Sequence, residues 1–183
     1  MVGWDKHLER WQVAHRAGVL DPVFKALTYA GVDGALWLVL AALLALAWRR
    51  PGIFAWTLVA DALAWAVSTG LQAAIPRSRP DVHTLIPKPH SHSFPSGHAT
   101  TSFACATVLG VLVPRFRAGF FVLAAAVAWS RVYVGVHYPL DVIAGAAWGV
   151  VLGLALLDLA ELVTGRSRSS SGSREAPSNR GSP

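Results

Sequence analysis

The feature that most constrains this chain is a succession of five apolar runs, the first three closed by proline or by arginines. They cover residues 23–48, 51–75, 98–113, 118–133 and 139–163. The longer ones exceed the roughly 20 residues that carry an α-helix across a bilayer. In lipid only helices and closed barrels satisfy every backbone group, and runs this long and this continuous are helical. Composition agrees: 54% of the 183 residues are hydrophobic and only 14% are charged, against roughly 25% charged in a soluble domain. The formal charge of +6 could suit nucleic acid. Lys and Arg sit instead at the ends of the runs and in the tail, which is the pattern of membrane flanks, so nucleic acid is not expected as a partner.

These runs predict an all-α integral membrane helical bundle of about five transmembrane helices, preceded by an N-terminal amphipathic helix. Residues 1–20 form the amphipathic segment, 21–164 the membrane domain and 165–183 a Ser/Arg-rich tail expected to be disordered. In the first segment Trp4, Leu8, Trp11 and Ala14 recur at helical spacing against Lys6, Glu9, Arg10 and Arg16, which suits a helix lying on the membrane surface. That segment lacks an uninterrupted apolar core and does not read as a secretory signal. Asp21-Pro22 reads as an N-cap followed by proline at the first helical position. Gly31, Asp33 and Gly34 weaken the first run at that end.

Asp61 lies within the second run. A carboxylate there faces inward, for packing and hydrogen bonding or for function. Gly145, Gly149 and Gly153, at four-residue spacing, predict a helix that approaches a neighbour closely. Cys105, the only cysteine, reads as a small buried hydrophobe. Five spans put Arg49, Arg50, Arg115, Arg117 and the tail arginines on one side, which the positive-inside rule makes cytoplasmic. The loop of residues 77–94 and the turn at His137 then face outward. Lys6, Arg10, Arg16 and Lys25 oppose that orientation.

Against this apolar background three polar segments stand out: Arg79-Pro80, Pro95-Ser96-Gly97-His98, and Ser130-Arg131 followed by His137 and Asp141. Arginine forks match phosphate oxygens bidentately, making Arg79 and Arg131 candidates to bind phosphate. Ser96 offers a hydroxyl and Gly97 a close backbone approach at a helix start, where N–H groups favour anions. His98 can protonate a leaving group. Asp141, one helical turn after His137, can fix the imidazole tautomer and free the other nitrogen to attack. His83, His90 and His92 are too few and too loosely placed for a convincing metal set.

The order and spacing of these segments resemble the type 2 phosphatidic acid phosphatase (PAP2) superfamily, with its K-x6-R-P, P-S-G-H and S-R-x5-H-x3-D motifs. The resemblance covers residues 21–163. It implies a membrane-embedded, metal-independent phosphatase that needs no cofactor and works through a phosphohistidine. His137 would be the nucleophile, Asp141 its orienting partner and His98 the general acid; Arg79, Arg131, Ser96 and Gly97 would hold the phosphate. The substrates it implies are lipid phosphates: polyprenyl pyrophosphate, phosphatidylglycerol phosphate or phosphatidic acid. One departure stands out: Gln72 occupies the motif's lysine position and brings no charge to the phosphate site. Arg77 and Lys88 are the nearest cations in sequence that could compensate. Two further readings remain beside hydrolysis: a lipid phosphotransferase, and a lipid-phosphate binding protein that has lost turnover through Gln72.

Overall fold

The structure, a computed structural model, describes residues 3–164; the tail expected to be disordered lies outside the described residues. Among these residues seven α-helices form: α1 (Gly3–Ala14), α2 (Asp21–Ala30), α3 (Ala35–Ala47), α4 (Pro51–Ala74), α5 (Gly97–Leu112), α6 (Arg117–Tyr133) and α7 (Pro139–Thr164). No strand forms among them. Proline starts α4 and α7, where its missing N–H costs no hydrogen bond. Outward-facing side chains such as Val39, Leu43, Leu46, Val122, Ile143 and Leu159 are large, apolar and exposed. That is the surface of an integral membrane protein.

α5 is the central helix. It packs on α4, α6 and α7, and eleven of its 16 residues are buried. The glycine stripe of α7 meets it at the closest approach. A Cβ on Gly145 would stand 2.6 Å from the Ser96 carbonyl oxygen, and one on Gly149 would stand 2.4 Å from that of Thr100. Any larger side chain would force the two helices apart, as the four-residue spacing predicts. Trp37, Ile53, Cys105, Leu109 and Phe120 fill the core where α3, α4 and α6 meet this helix.

Two helices, Pro51–Ala74 and Pro139–Leu162, are long and apolar enough by themselves to cross a membrane. The run at residues 23–48 is not the single straight span expected. Gly18–Ala30 and Val32–Ala47 meet at a 66° bend, and only as this bent pair are they long and apolar enough to reach across a membrane. Asp33 (φ 48°) and Gly34 (φ 69°) turn the chain there in left-handed conformations. The Asp61 carboxylate lies directly against Gly34, where a Cβ would come within 2.0 Å of Oδ1. Asp61 therefore packs at the bend. α5 and α6 have 16 and 17 residues, about 24–26 Å of helix. α5 is sheathed by its neighbours and needs no lipid-matched length. Asp21 does not cap α2 either: it is the first helical residue, and its carboxylate accepts the Tyr133 hydroxyl at 2.8 Å.

α1 is amphipathic as expected, with an unexpected face inward. Asp5, Glu9 and Gln12 are buried against the bundle, whereas Trp4, Leu8 and Trp11 are exposed. A polar stripe turned toward protein leaves the apolar stripe for the lipid boundary.

Candidate active site

One cavity of about 260 Å³ opens where the helices end, lined among others by Gly31, Asp33, Trp65, Gln72, Arg79, Gly97, His98, Arg131 and His137. The bend between α2 and α3 supplies one wall. Irregular backbone at membrane depth is tolerated where it borders such a cavity. Six expected residues meet here: Gln72, Arg79, Gly97, His98, Arg131 and His137. Ser96 and Asp141 do not line it. Ser96 is fully buried behind Gly97, its hydroxyl without a partner, and its N–H donates to the Asp141 carbonyl at 3.0 Å.

His137 sits in the turn between α6 and α7, 2% exposed. Its Nδ1–H donates to the Ser93 carbonyl at 2.8 Å, while Asp141 Oδ2 lies farther off, at 3.5 Å. A carbonyl can only accept, so the proton is on Nδ1 and the Nε2 lone pair faces the cavity. Asp141 Oδ2 also accepts the Tyr138 N–H at 3.0 Å. Ser93 is thus the nearer orienting group, and it acts through its backbone, which no side-chain motif reveals. Burial, with Arg131 and then Arg79 adding to it, pushes the His137 pKa well below 6.5. The imidazole is therefore neutral and nucleophilic at neutral pH.

The two arginines differ in what they have to spare. All five N–H groups of Arg79 are engaged: Nε on the Ser91 carbonyl, Nη1 on the Val136 carbonyl and on His137 Nε2 at 3.0 Å, Nη2 on the Ser91 hydroxyl and the His92 carbonyl. Burial lowers its pKa and Asp141 raises it, with the downward shift winning. A phosphoryl group reaching Nε2 must displace one of these bonds. Arg131 is 3% exposed and its Nε has no partner, a buried donor with nothing yet to bind. His98 is fixed by an element the sequence did not connect to it: its Nε2 donates to the Thr28 carbonyl on α2 at 3.1 Å.

Neither suggested substitute for the missing lysine serves. Arg77 and Lys88 are both absent from the cavity wall. Lys88 reaches Asp81 at 3.9 Å on the surface, and Arg77 is paired with Asp5 and Asp141 behind the site. Gln72 lines the cavity but its Nε2 donates to the Pro95 carbonyl at 2.9 Å, holding the loop before α5. Among the loop histidines, His92 Nδ1 donates to the Gln72 carbonyl at 2.8 Å. Among the described residues no three His, Cys, Asp or Glu side chains gather as a metal-ligating group.

Fold and cavity define a class: helical membrane proteins with an arginine- and histidine-lined chamber at the ends of their helices. Within that class the chain belongs to the PAP2 superfamily, whose family model matches residues 53–163. It is 43% identical over 93 residues to the lipid A 1-phosphatase of Rhizobium johnstonii, a match covering 46% of this chain and 38% of that enzyme. The likeness to the decaprenylphosphoryl-5-phosphoribose phosphatase of Mycobacterium tuberculosis is more extended: 35% identity over 158 residues, 78% of this chain and 81% of that one. The crystal structure of a PAP2-type phosphatidylglycerolphosphate phosphatase from Bacillus subtilis superposes with a TM-score of 0.71 at 26% identity, over 90% of this chain and 87% of that one. The resemblance carried by the three motifs and the family match agree.

Proposed function

We propose that this protein is a membrane phosphatase that removes a phosphoryl group from a lipid phosphate or pyrophosphate through a phosphohistidine on His137. The observation that carries this reading is the imidazole itself, its Nδ1–H held by a carbonyl and its ring on the wall of a cavity shared with His98 and two arginines. Nε2 attacks phosphorus, the bond to the leaving oxygen breaks, and His98 supplies that oxygen with a proton. Because the His98 Nε2–H is donated to the Thr28 carbonyl, the ring acts as the acid in its imidazolium form: the proton leaves from Nδ1, and the neutral ring takes it back from water in the second step. Water, losing a proton to His98, then cleaves the N–P bond and releases inorganic phosphate. Arg131 and Arg79 neutralise the charge on the phosphoryl oxygens throughout.

Trp65 is more than half exposed on the lipid-facing flank of α4 and also lines the cavity. That suits a substrate whose tail stays in the membrane while its head enters sideways. Arg49, Arg50, Arg115 and Arg117 lie at the helix ends away from the cavity, which supports a bacterial plasma membrane location with the cavity facing outward. Phosphate release from polyprenyl pyrophosphate, phosphatidylglycerol phosphate, phosphatidic acid and a polyprenyl-linked sugar phosphate, measured in detergent with and without chelator, tests the reading. Release from at least one, insensitive to chelator and abolished by His137→Ala, supports it. Lipid-phosphate binding without release would favour the binding protein, and transfer to an added alcohol without release the phosphotransferase.

A further inference from the structure

Behind His137, on the side away from the cavity, lies an ion-pair chain of which only Asp141 belongs to a motif. The Arg77 guanidinium bridges two buried carboxylates, Asp141 through Nη1 and Asp5 through Nη2. Both acids have fully buried side chains, and that of Arg77 is 11% exposed. Its plane also lies over the Tyr138 ring, 4.5 Å from the centroid. The second oxygen of Asp5 accepts the Leu140 N–H at 2.9 Å, so Asp5 caps the first turn of α7 from another helix, one residue before Asp141. Arg77 reaches the nucleophile by its backbone as well: its carbonyl accepts the Ser93 N–H at 2.9 Å, and Ser93 in turn accepts His137 Nδ1–H. Both groups facing Nδ1 are therefore held by Arg77, and Arg77 is held by Asp5.

We propose that Asp5 on the N-terminal helix is a positioning residue for the reaction, acting on His137 through Arg77. The geometry explains why a second acid is there. Asp141 takes one arm of the Arg77 fork and Asp5 takes the other, so the guanidinium is fixed at both ends and cannot swing away from the groups that hold Nδ1. α1 is thereby part of the working site, anchored at the lipid boundary by Trp4, Leu8 and Trp11 while its acidic face braces the nucleophile.

This inference rests on the phosphatase reading, and the test separates the two. Steady-state phosphate release by the full chain in detergent is compared for wild type, Asp5→Asn, Arg77→Gln, the double variant and His137→Ala. Asp5→Asn should lower kcat about tenfold with KM within about twofold, because the cavity is untouched while the nucleophile loses its brace. The double variant should lose no more than the worse single one, since Asp5 acts through Arg77. Should Asp5→Asn not fold, Arg77→Lys decides: it keeps the charge but cannot bridge two carboxylates with one planar fork, and kcat should again fall with KM unchanged. Wild-type kcat in Asp5→Asn or, failing that variant, in Arg77→Lys overturns the inference, as does a loss that adds fully in the double variant. No release by wild type, or full activity in His137→Ala, overturns the phosphatase reading instead.

Discussion

The two sides of His137 are built on different plans. In front of Nε2 stand side chains on the cavity wall: Arg79, Arg131, His98 and Gln72. Behind Nδ1 stand a backbone carbonyl, a carboxylate and an ion-pair chain that runs to a helix at the opposite end of the sequence. Arg77 and Arg79 mark the contrast, two positions apart in one loop and turned to opposite sides of the same ring. On the proposed reading the front selects and neutralises the phosphate, and the back holds the nucleophile's tautomer and direction. Variants in front should therefore change substrate binding, with or without the rate, and variants behind should act on rate alone.

That contrast can be broken most severely at its centre. His137→Ala should lower kcat at least ~10⁴-fold, since nucleophile and orienting network fail as a unit; a smaller loss by phosphate release would mean that water attacks directly. At the front, Arg131→Gln should lower kcat/KM about 100-fold, the scale of losing one preorganised donor to a transition state. Arg131→Lys should recover little of it, because a point charge does not replace the fork. The corresponding loss behind the ring is the tenfold change in kcat expected of Asp5→Asn.

Smaller effects sharpen the comparison. Gln72→Lys puts a cation on the cavity wall and should lower KM about threefold, the scale of a partly solvated ion pair, with kcat little changed. A rise in KM would mean that the bond from Gln72 to the Pro95 carbonyl matters more than charge. At the back, α1 carries its own titration. Burial raises the Glu9 pKa from 4.5 to about 7, and Oε1 of this 1% exposed side chain has no partner. The docked helix favours the protonated form, so its hold is full below pH 4.5 and weakens as pH rises toward about 7. Thermal unfolding in detergent should show stability falling between pH 5 and 8 in wild type, and a flatter profile in Glu9→Gln.

The front of the site was legible because its chemistry is concentrated in short, spaced motifs. Arg79, Gly97, His98, Arg131 and His137 could be named from residue type and order, and they share one cavity. The helices were legible too, because lipid imposes long apolar runs; the glycine stripe of α7 was readable for the same reason. The back was not. Ser93 contributes a carbonyl, which every residue has, and Thr28 does the same for His98. Asp5 lies 136 positions from Asp141, and no local pattern links them. A signal did exist in α1: Asp5, Glu9 and Gln12 share one face opposite the tryptophans. In a soluble protein that face meets water, whereas here the apolar face meets lipid and the acids turn inward. The bend at Asp33 and Gly34 was visible only as a weakness in the first run, because the residue packed against it, Asp61, comes from another helix.

The central claim, a phosphoryl group carried on one imidazole, is tested most directly by trapping. The full chain is mixed with a lipid phosphate bearing a radiolabelled terminal phosphoryl group, quenched in alkali, where phosphohistidine survives, and mapped by peptide. The account predicts label on the peptide containing His137 in wild type and none in His137→Ala. Turnover by wild type with no labelled peptide, or with label on a peptide lacking His137, would contradict it.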